Sequence, residues 1–458
     1  MKYRRASMAI AITSILALPS AAFAAVSAEE AAQLGKELTC VGAEQAGNAA
    51  GTIPEYTGKY LGKVPGWNIK PHSGDHPVDP YADEKPRMVL TAANYKEYAD
   101  NLSEGQKAMF AKYPDTFQME IYPSHRDFRY PEFVCERAKD NALNAKVVDD
   151  GYGIDGIGHN PFPIPKTAME ALWNHQLPYR DWTEESTRDI ITVGANGSYG
   201  YGRSYGKCLA LSNDPNETPH SSTGVSSMCR TETVLPTRDS GNTSMNHEPY
   251  NYLTSSRIAW SYNAGTRRVR LAPGYGYDQS LGGSNGTITI DEDRLFNGGP
   301  DRYNWELKGK KEVFIPANGY KTEVADLKYK DLLTVNHANP KHIRYELRRV
   351  WVLEATLKDS SRHLYGKRRM YLDEDTWHAV MSDNYDTRGN LWKFAFLNTI
   401  YHPDMSAWRS GASFYHDLNT GDYVGYNLTN ERRLSSIINK GDQKKSDYTP
   451  DRLRAQGR

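Results

Sequence analysis

The stretch that decides the fold runs from residue 345 to residue 385 and reads YELRRVWVLEATLKDSSRHLYGKRRMYLDEDTWHAVMSDNY. Its first part leads into the apolar run 350–353, and strand-forming residues return at 362–372 and 377–385. The acidic turn 373–375 separates the last two segments, as short polar residues do in tight turns. Successive short strands joined by tight turns predict an antiparallel meander.

The same pattern continues on both sides of this stretch. Upstream strands are predicted at 258–262, 269–271, 303–307 and 313–315, and downstream strands at 391–399, 412–418 and 423–428. Polar turns at 386–390 and 419–422 separate the downstream strands. Strands do not alternate with helices here, which excludes a parallel doubly wound sheet. We therefore expect antiparallel sheet over residues 181–435.

The N-terminal region, residues 25–180, is predicted to contain helices and loops that pack on the sheet. Helical composition or capping residues indicate helices at 28–38, 92–101, 104–113, 131–145 and 166–175. Gly and Pro dominate residues 149–165, where we expect no regular element. Residues 436–458 are polar and charged, which predicts a loose tail.

The first 24 residues have the pattern of a secretory signal peptide. A basic start, Met1–Arg5, precedes the apolar run Met8–Leu18 and the small-residue site Ala22-Phe23-Ala24. This order predicts cleavage after Ala24 and a periplasmic protein. Lys plus Arg and Asp plus Glu both number 56, and the mean hydropathy is −0.71. With no net charge to attract a polyanion, we expect no nucleic-acid partner.

Four cysteines are present: Cys40, Cys135, Cys208 and Cys229. An even number in an exported chain predicts two disulfides, for which three pairings exist. We favour Cys208–Cys229, because both residues lie in strand-like segments that can face each other. The remaining bridge, Cys40–Cys135, then ties the N-terminal arm to a later helix.

Three local motifs suggest chemistry but lack the structure that the chemistry requires. Gly202–Gly206 matches G-x-S-x-G with Ser204 at its centre, yet a strand rather than a helix is predicted after it. Gly151–Gly156 matches a dinucleotide fingerprint, but three prolines follow where a helix is needed. His72 and His76 share a polar loop without a closely spaced third ligand. We therefore predict no metal, no cofactor and no catalytic residue.

Several blocks resemble an exported proteobacterial family that is known as domain of unknown function thirteen twenty-nine. They include Glu37–Asn48, Tyr113–Phe117, Pro161–Pro165, Phe296–Tyr303 and Arg344–Leu347. In addition, Arg368–Trp377 with Tyr385–Leu391 is similar to a strand–turn–strand pattern of the LolA/LolB-type lipoprotein-sorting superfamily.

The resemblance implies a fold and a ligand class. The fold is mainly antiparallel β with α: a LolA-like curved, incomplete β-barrel with covering helices and a helix- and loop-rich N-terminal extension. The concave face of such a barrel holds acyl chains. The resemblance also implies a transport relay, with an inner-membrane efflux-type transporter and an outer-membrane protein as partners.

The function we predict is a periplasmic carrier or chaperone that binds a hydrophobic ligand, such as a lipid or an acyl chain, in the concave sheet. The candidate lining residues are Trp260, Tyr262, Trp305, Tyr345, Trp351, Trp377 and Trp392. The candidate lid is the helix that carries Met169, Leu172 and Trp173. Two alternatives are a secreted serine hydrolase that uses Ser204 and a non-catalytic envelope interaction module.

Overall fold

Sixteen strands form one sheet at the centre of the structure, a computed structural model that describes residues 26–62, 64–156, 158–216, 224–272 and 276–456. Two further strands form a small separate ribbon. The expected signal peptide, residues 1–24, lies outside the described residues.

The strands are β1 (Met88–Leu90), β2 (Met119–Tyr122), β3 (Lys146–Val148), β4 (Gly153–Asp155), β5 (Thr183–Val193), β6 (Tyr199–Ala210), β7 (Val225–Leu235), β8 (Thr243–Pro249), β9 (Ile258–Asn263), β10 (Arg268–Leu271), β11 (Tyr303–Pro316), β12 (Tyr345–Leu357), β13 (Lys367–Asp373), β14 (Ala379–Tyr385), β15 (Leu391–His402), β16 (Ala407–Asp417), β17 (Tyr423–Leu428) and β18 (Ser436–Ile438). The α-helices are α1 (Ala28–Ala31), α2 (Glu104–Lys112), α3 (Glu132–Asn144), α4 (Ala168–Gln176), α5 (Tyr329–Leu332) and α6 (Pro450–Gln456). Short 3-10 helices lie at Tyr95–Asn101, Asp149–Gly151, Leu211–Asn213, Thr237–Asp239, Ile290–Leu295, Tyr320–Thr322, Pro340–His342 and Lys445–Asp447.

Two antiparallel meanders make up the large sheet. The first contains β5 to β10 and the second contains β11 to β17, and they join where β17 pairs antiparallel with β5. β2 adds to the start of β12 as the parallel exception, and β18 pairs with the first half of β5. β10 and β11 do not pair with each other, so the described sheet is open. The predicted mainly antiparallel, incomplete sheet is therefore confirmed.

Both faces of the second meander are buried. Side chains of β15 alternate between two apolar clusters: Phe394 and Phe396 lie on what we call the first face, and Ala395 and Leu397 lie on the second face. Met109 and Phe110 of α2 pack on the first face. Val134 of α3 and Leu172 of α4 pack on the second. The helices of the N-terminal region thus cover the sheet from two sides, and the seven residues of β14 are all buried.

The N-terminus of α2 is fixed to the first face by a carboxylate of the sheet. Ser103 caps the helix as predicted and forms a capping box with Gln106. Asp383 of β14 accepts hydrogen bonds from the Gly105 N–H at 3.0 Å, the Ser103 hydroxyl at 3.1 Å and the Tyr371 hydroxyl at 3.0 Å. Burial raises the pKa of Asp383 to about 6, although these hydrogen bonds act in the opposite direction.

A buried ion pair fastens residues 44–54 of the N-terminal arm to the acidic turn 373–375. Arg126 donates to both carboxylate oxygens of Asp375, at 2.9 and 2.7 Å, and the two side chains are only 1% and 2% exposed. The same guanidinium donates to the backbone carbonyls of Glu44, Gln45 and Pro54 at 2.8, 3.3 and 3.2 Å. Arg348 also donates to Asp375 at 3.1 Å. One guanidinium therefore links two distant chain segments.

Both predicted disulfides are present. Cys208 and Cys229 are directly opposite each other on β6 and β7, as the strand pattern predicted. Cys40 of the arm is bonded to Cys135 of α3. Such bonds persist in oxidising compartments, which agrees with an exported protein.

Some elements differ from the sequence-based expectations. The helix predicted at 28–38 ends at Ala31, and the one at 92–101 is a 3-10 helix over Tyr95–Asn101. The segments 303–307 and 313–315 belong to one strand, β11, which accommodates a bulge between Leu307 and Gly309 instead of turning. The Gly- and Pro-rich segment contains β4, which pairs with β3.

The C-terminal segment is also more ordered than the loose tail that its polarity predicts. β18 pairs with β5, and α6 follows at 450–456. Tyr448 and Leu453 are buried in an apolar cluster with Met245 and Tyr262. A few apolar residues are thus enough to dock this segment on the first meander.

No helix among the described residues is both long and apolar enough to span a membrane.

Candidate functional site

A cleft of about 630 Å³ lies between residues 58–62 and 64–67, which continue the N-terminal arm, and the turn that joins β15 to β16. Tyr60, Val64 and Trp67 line the cleft from the arm. Arg129 and Asp404 line it from the body of the protein. Small-molecule sites typically have volumes of roughly 300–1,000 Å³, so this cleft is large enough for one.

Aromatic contacts hold the arm against the sheet. The Tyr60 ring packs on Tyr401 of β15 with a centroid distance of 5.7 Å. The Trp67 ring makes edge-to-face contacts with Tyr320 at 6.3 Å and with His402 at 6.2 Å. Between these two anchors Gly62 has φ +81°, a left-handed conformation that glycine adopts without strain. The arm therefore bends between its rings and leaves the cleft beneath it.

Asp404 lines the cleft, but its carboxylate oxygens are buried. Its side chain is 11% exposed, and neither carboxylate oxygen accepts a hydrogen bond from another described residue. Burial raises the pKa of Asp404, and the nearby His72 acts against this rise. Both oxygens lie below the surface, so other atoms of Asp404 form the wall of the cleft.

Histidine and tryptophan nitrogens next to Asp404 are unpartnered as well. His402 Nδ1 is 4.0 Å from the carboxylate, and neither ring nitrogen has a hydrogen-bond partner among the described residues. Burial and the charge of Arg409 lower the pKa of His402 to about 3, so the ring is neutral at physiological pH. The indole nitrogens of Trp67 and Trp408 are unpartnered too. Several buried polar atoms beside the cleft therefore lack a hydrogen-bond partner among the described residues.

Two basic side chains lie at the rim of the cleft. Lys59 and Arg129 are exposed, and neither forms an ion pair with a described residue. The backbone of Arg129 is held in place by the Tyr401 hydroxyl, which donates to its carbonyl at 2.8 Å. The cleft thus has aromatic walls and a basic rim, which suits a small amphipathic molecule.

Four of the seven predicted lining residues lie in the buried faces of the sheet. Trp305, Trp351 and Trp377 belong to the second-face cluster, where the rings of Trp351 and Trp377 stack at 6.2 Å. Tyr345 lies on the first face. The two sides of the sheet separate Tyr345 from the three tryptophans, so these four residues do not share one concave surface.

The other three predicted lining residues lie elsewhere. Trp260 and Tyr262 pack in the cluster beside α6 on the first meander. Trp392 contacts Tyr365 edge-on at 5.6 Å. None of the seven residues lines the cleft, and a role for them in binding stays a prediction.

The helix predicted as a lid, α4, covers the second face. Met169 and Leu172 pack there, and the Trp173 indole donates to the Gly151 carbonyl at 3.0 Å. His175 of the same helix accepts from the Ala379 N–H at 3.0 Å. These contacts place α4 firmly on the sheet, and opening of this helix as a lid stays a prediction.

The local motifs have ordinary structural positions. Ser204 lies inside β6, between Arg188 of β5 and Thr233 of β7, and so does not occupy the strand–turn–helix elbow that the hydrolase reading requires. His76 binds the backbone carbonyls of residues 323 and 432. Within the described ranges, no group of three or more His, Cys, Asp or Glu side chains is arranged to hold a metal ion.

A family model described as "Protein of unknown function (DUF1329)" matches residues 89–454. The chain belongs to this family. An uncharacterized protein of Pseudomonas aeruginosa strain PAO1, PA3922, is 38% identical over 459 residues, and the alignment covers 100% of both chains. The DUF1329 match includes Arg129 and Asp404 of the cleft, whereas Tyr60 and Trp67 precede it.

Solved structures show a looser similarity to this DUF1329 chain. A domain named for outer membrane lipoprotein sorting, from Vibrio parahaemolyticus, has a TM-score of 0.41 at 16% identity and covers 59% of this chain and 91% of its own. A DUF1329 protein from Desulfovibrio piger has a TM-score of 0.40 at 14% identity, with 60% and 92% covered. A LolA superfamily protein from Nitrosomonas europaea has a TM-score of 0.38 at 13% identity, and the alignment covers 63% of this chain and 100% of its own. Similarity at this level transfers no ligand or partner to the chain.

Sequence reasoning missed the cleft because its residues come from three distant segments. A usable signal is present in the stretch 58–67, where Tyr60 and Trp67 lie among three glycines and a proline. Aromatic residues in a glycine-rich loop have no strand or helix to bury them. Nothing in the sequence pattern indicates that Asp404 lies beside them.

Proposed function

We propose that this protein is a periplasmic carrier that binds one small hydrophobic or amphipathic molecule in the cleft between residues 58–67 and the β15–β16 turn. The observation that carries the proposal is the cleft itself, with its volume of about 630 Å³ and the rings of Tyr60 and Trp67 in its wall. The two disulfides and the signal-peptide pattern support an exported protein.

The position of the site is different from the concave sheet face that the sequence suggested. Both faces of the second meander are filled by the protein's own side chains, and helices cover them. A ligand that entered either face would have to displace this core. The cleft under the arm needs no such rearrangement, which favours it as the binding site.

Apolar contact alone would give this cleft modest affinity. Burial of one CH₂ group contributes about 0.8 kcal/mol, so a chain of eight carbons would contribute about 6 kcal/mol before ordering costs. Micromolar binding requires about 8 kcal/mol. Polar contacts at the rim of the cleft must therefore supply part of the affinity.

The proposal includes a transport relay, as the family resemblance implies. The arm is held to the sheet by side-chain contacts of Tyr60 and Trp67, and its displacement would open the cleft to a partner. We propose an inner-membrane transporter of the efflux type and an outer-membrane protein as the partners that load and unload it.

Native mass spectrometry of residues 25–458, purified from a periplasmic fraction without detergent, tests the carrier function. We expect an adduct of defined mass that solvent extraction releases. The double variant Tyr60→Ala/Trp67→Ala should lose this adduct, because it removes both walls. Tyr199→Ala, which removes an exposed tyrosine of β6 outside the cleft, should keep it.

Two other results would count against the proposal in different ways. An adduct that persists in the double variant would place the ligand elsewhere in the protein. A ligand-free mass for the wild type, even after incubation with membrane extract, would contradict a carrier and favour the interaction module.

A further inference from the structure

We infer that the ligand of this cleft carries an anionic head group, a carboxylate or a phosphate, which binds Lys59 and Arg129 at the rim while its apolar part lies against the aromatic wall. The inference rests on the proposed function, because it states the chemistry of a ligand for the same cleft. It concerns the outer end of the ligand and leaves the length of its apolar part unspecified.

The first observation is the sign of the charges that a ligand can reach. Two basic residues and one acidic residue line the cleft: Lys59, Arg129 and Asp404. Both basic residues are exposed, whereas both carboxylate oxygens of Asp404 are buried. Position 63 of the arm, outside the described residues, is a further lysine in the sequence and adds no acidic group. The charged atoms that the described lining presents to a ligand are therefore positive, which favours a negatively charged head group.

The second observation is that both cations are available to a ligand. Neither Lys59 nor Arg129 forms an ion pair with a described residue. Asp127, two positions before Arg129 in the sequence, already has partners: His125 lies 3.3 Å from its carboxylate, and the Tyr81 hydroxyl donates to it at 3.1 Å. An anion supplied by the ligand would thus bind the rim without displacing a carboxylate of the described protein.

The third observation is that one residue ties the backbone of Arg129 to the aromatic wall. The Arg129 N–H donates to the Tyr401 hydroxyl at 3.3 Å, and this hydroxyl donates to the Arg129 carbonyl at 2.8 Å. The Tyr401 ring also packs on Tyr60, which directly follows Lys59 in the arm. A guanidinium can form two parallel hydrogen bonds with a carboxylate or a phosphate, and a lysine ammonium adds a further charged donor. An amphiphile whose chain lies on this wall would therefore have donors for its head group at the rim.

Isothermal titration of the mature chain with four ten-carbon probes tests the inference: decanoate, decyl phosphate, decanol and decylammonium. At low ionic strength we expect both anions to bind about tenfold more tightly than decanol, and decylammonium to bind most weakly. The tighter of the two anions identifies the head group. Added salt should reduce the preference for the anions, because exposed charges are screened over about 8–10 Å at physiological ionic strength. A preference that salt leaves unchanged would contradict a role for these exposed cations.

The double variant Lys59→Gln/Arg129→Gln should bind the anions no more tightly than decanol and should leave decanol binding unchanged. Both residues are exposed, and the bonds between Arg129 and Tyr401 use only the Arg129 backbone, so this variant should fold, as circular dichroism will verify. The matched control is Lys330→Gln/Arg268→Gln, which removes the same two charges from exposed positions outside the cleft. It should keep the preference for the anions.

Three results would overturn the inference in distinguishable ways. Equal binding of decanol and the two anions to the wild type would remove the anionic head group but keep the carrier. A preference for the anions that survives in the Lys59/Arg129 variant would place the head group away from the rim. If none of the probes binds the wild type, both proposals fail.

Discussion

Replacement of Arg126 by methionine removes the guanidinium that fastens the N-terminal arm to the acidic turn. Methionine keeps much of the side-chain volume, so the change mainly deletes charge and hydrogen bonds. The lost contacts are the paired bonds to Asp375 at 2.9 and 2.7 Å and the three bonds to backbone carbonyls of residues 44, 45 and 54.

The burial of this pair sets the size of the expected effect. Arg126 and Asp375 are 1% and 2% exposed, and removal of one partner from a buried pair costs about 3–5 kcal/mol. Arg348 still contacts Asp375 at 3.1 Å, which places the expected loss near the lower end, about 3 kcal/mol. The matched control is Arg369→Met, which breaks a partly exposed pair with Glu354 and should cost about 1 kcal/mol or less.

Urea unfolding, followed by circular dichroism at a fixed pH, measures both losses. Hydrogen exchange adds a local readout, because the carbonyls that Arg126 binds lie directly before the cleft segment 58–67. We expect amides in 44–67 to lose protection in Arg126→Met and to keep it in Arg369→Met. Equal losses of stability in the two variants would refute the claim that burial makes the Arg126 pair contribute more to stability than the Arg369 pair.

Two further predictions concern pH and the disulfides. Burial raises the pKa of Asp383 to about 6, against about 3.9 in an unfolded chain, so its contribution to stability falls as the pH rises from about 4 to about 6. Asp383→Asn should therefore reduce the fall in the free energy of unfolding, measured with urea, by up to about 3 kcal/mol over this interval, and an unchanged slope would contradict the assignment. The Cys40–Cys135 bridge closes 95 residues and the Cys208–Cys229 bridge closes 21, so alanine replacement of the first pair should cost about 4.7 kcal/mol and of the second about 3.3 kcal/mol in urea unfolding. The reverse order would show that chain entropy does not govern their contribution.

Features that depend on neighbours along the chain were predictable from the sequence. Ser103 caps α2 because its hydroxyl reaches an N–H only three residues away. The Cys208–Cys229 pairing followed from two strands that are close in sequence. The bulged strand β11 was harder, because Lys308 and Gly309 have the composition of a turn and only pairing with β12 keeps the strand continuous.

Features that depend on what covers each surface were not predictable. Alternation in β15 correctly assigns Phe394 and Ala395 to opposite faces, but it does not tell which face is left open. Trp377, a predicted lining residue, is fully buried, and its indole donates to the Val41 carbonyl at 2.9 Å, a contact between residues 336 positions apart. The cleft depends on contacts between residue 67 and residue 402, a separation for which a single sequence contains no periodic signal.

The pairing of β17 with β5 has a consequence for how the protein is made. β5 begins at residue 183 and its partner ends at residue 428, so the first meander keeps one unpaired edge until most of the chain has been made. Contacts of such long sequence separation slow folding, and unpaired edges favour association between chains. Maturation in the cell should therefore be limited by arrival of the last tenth of the chain, and a nascent protein truncated before residue 423 should depend strongly on chaperones.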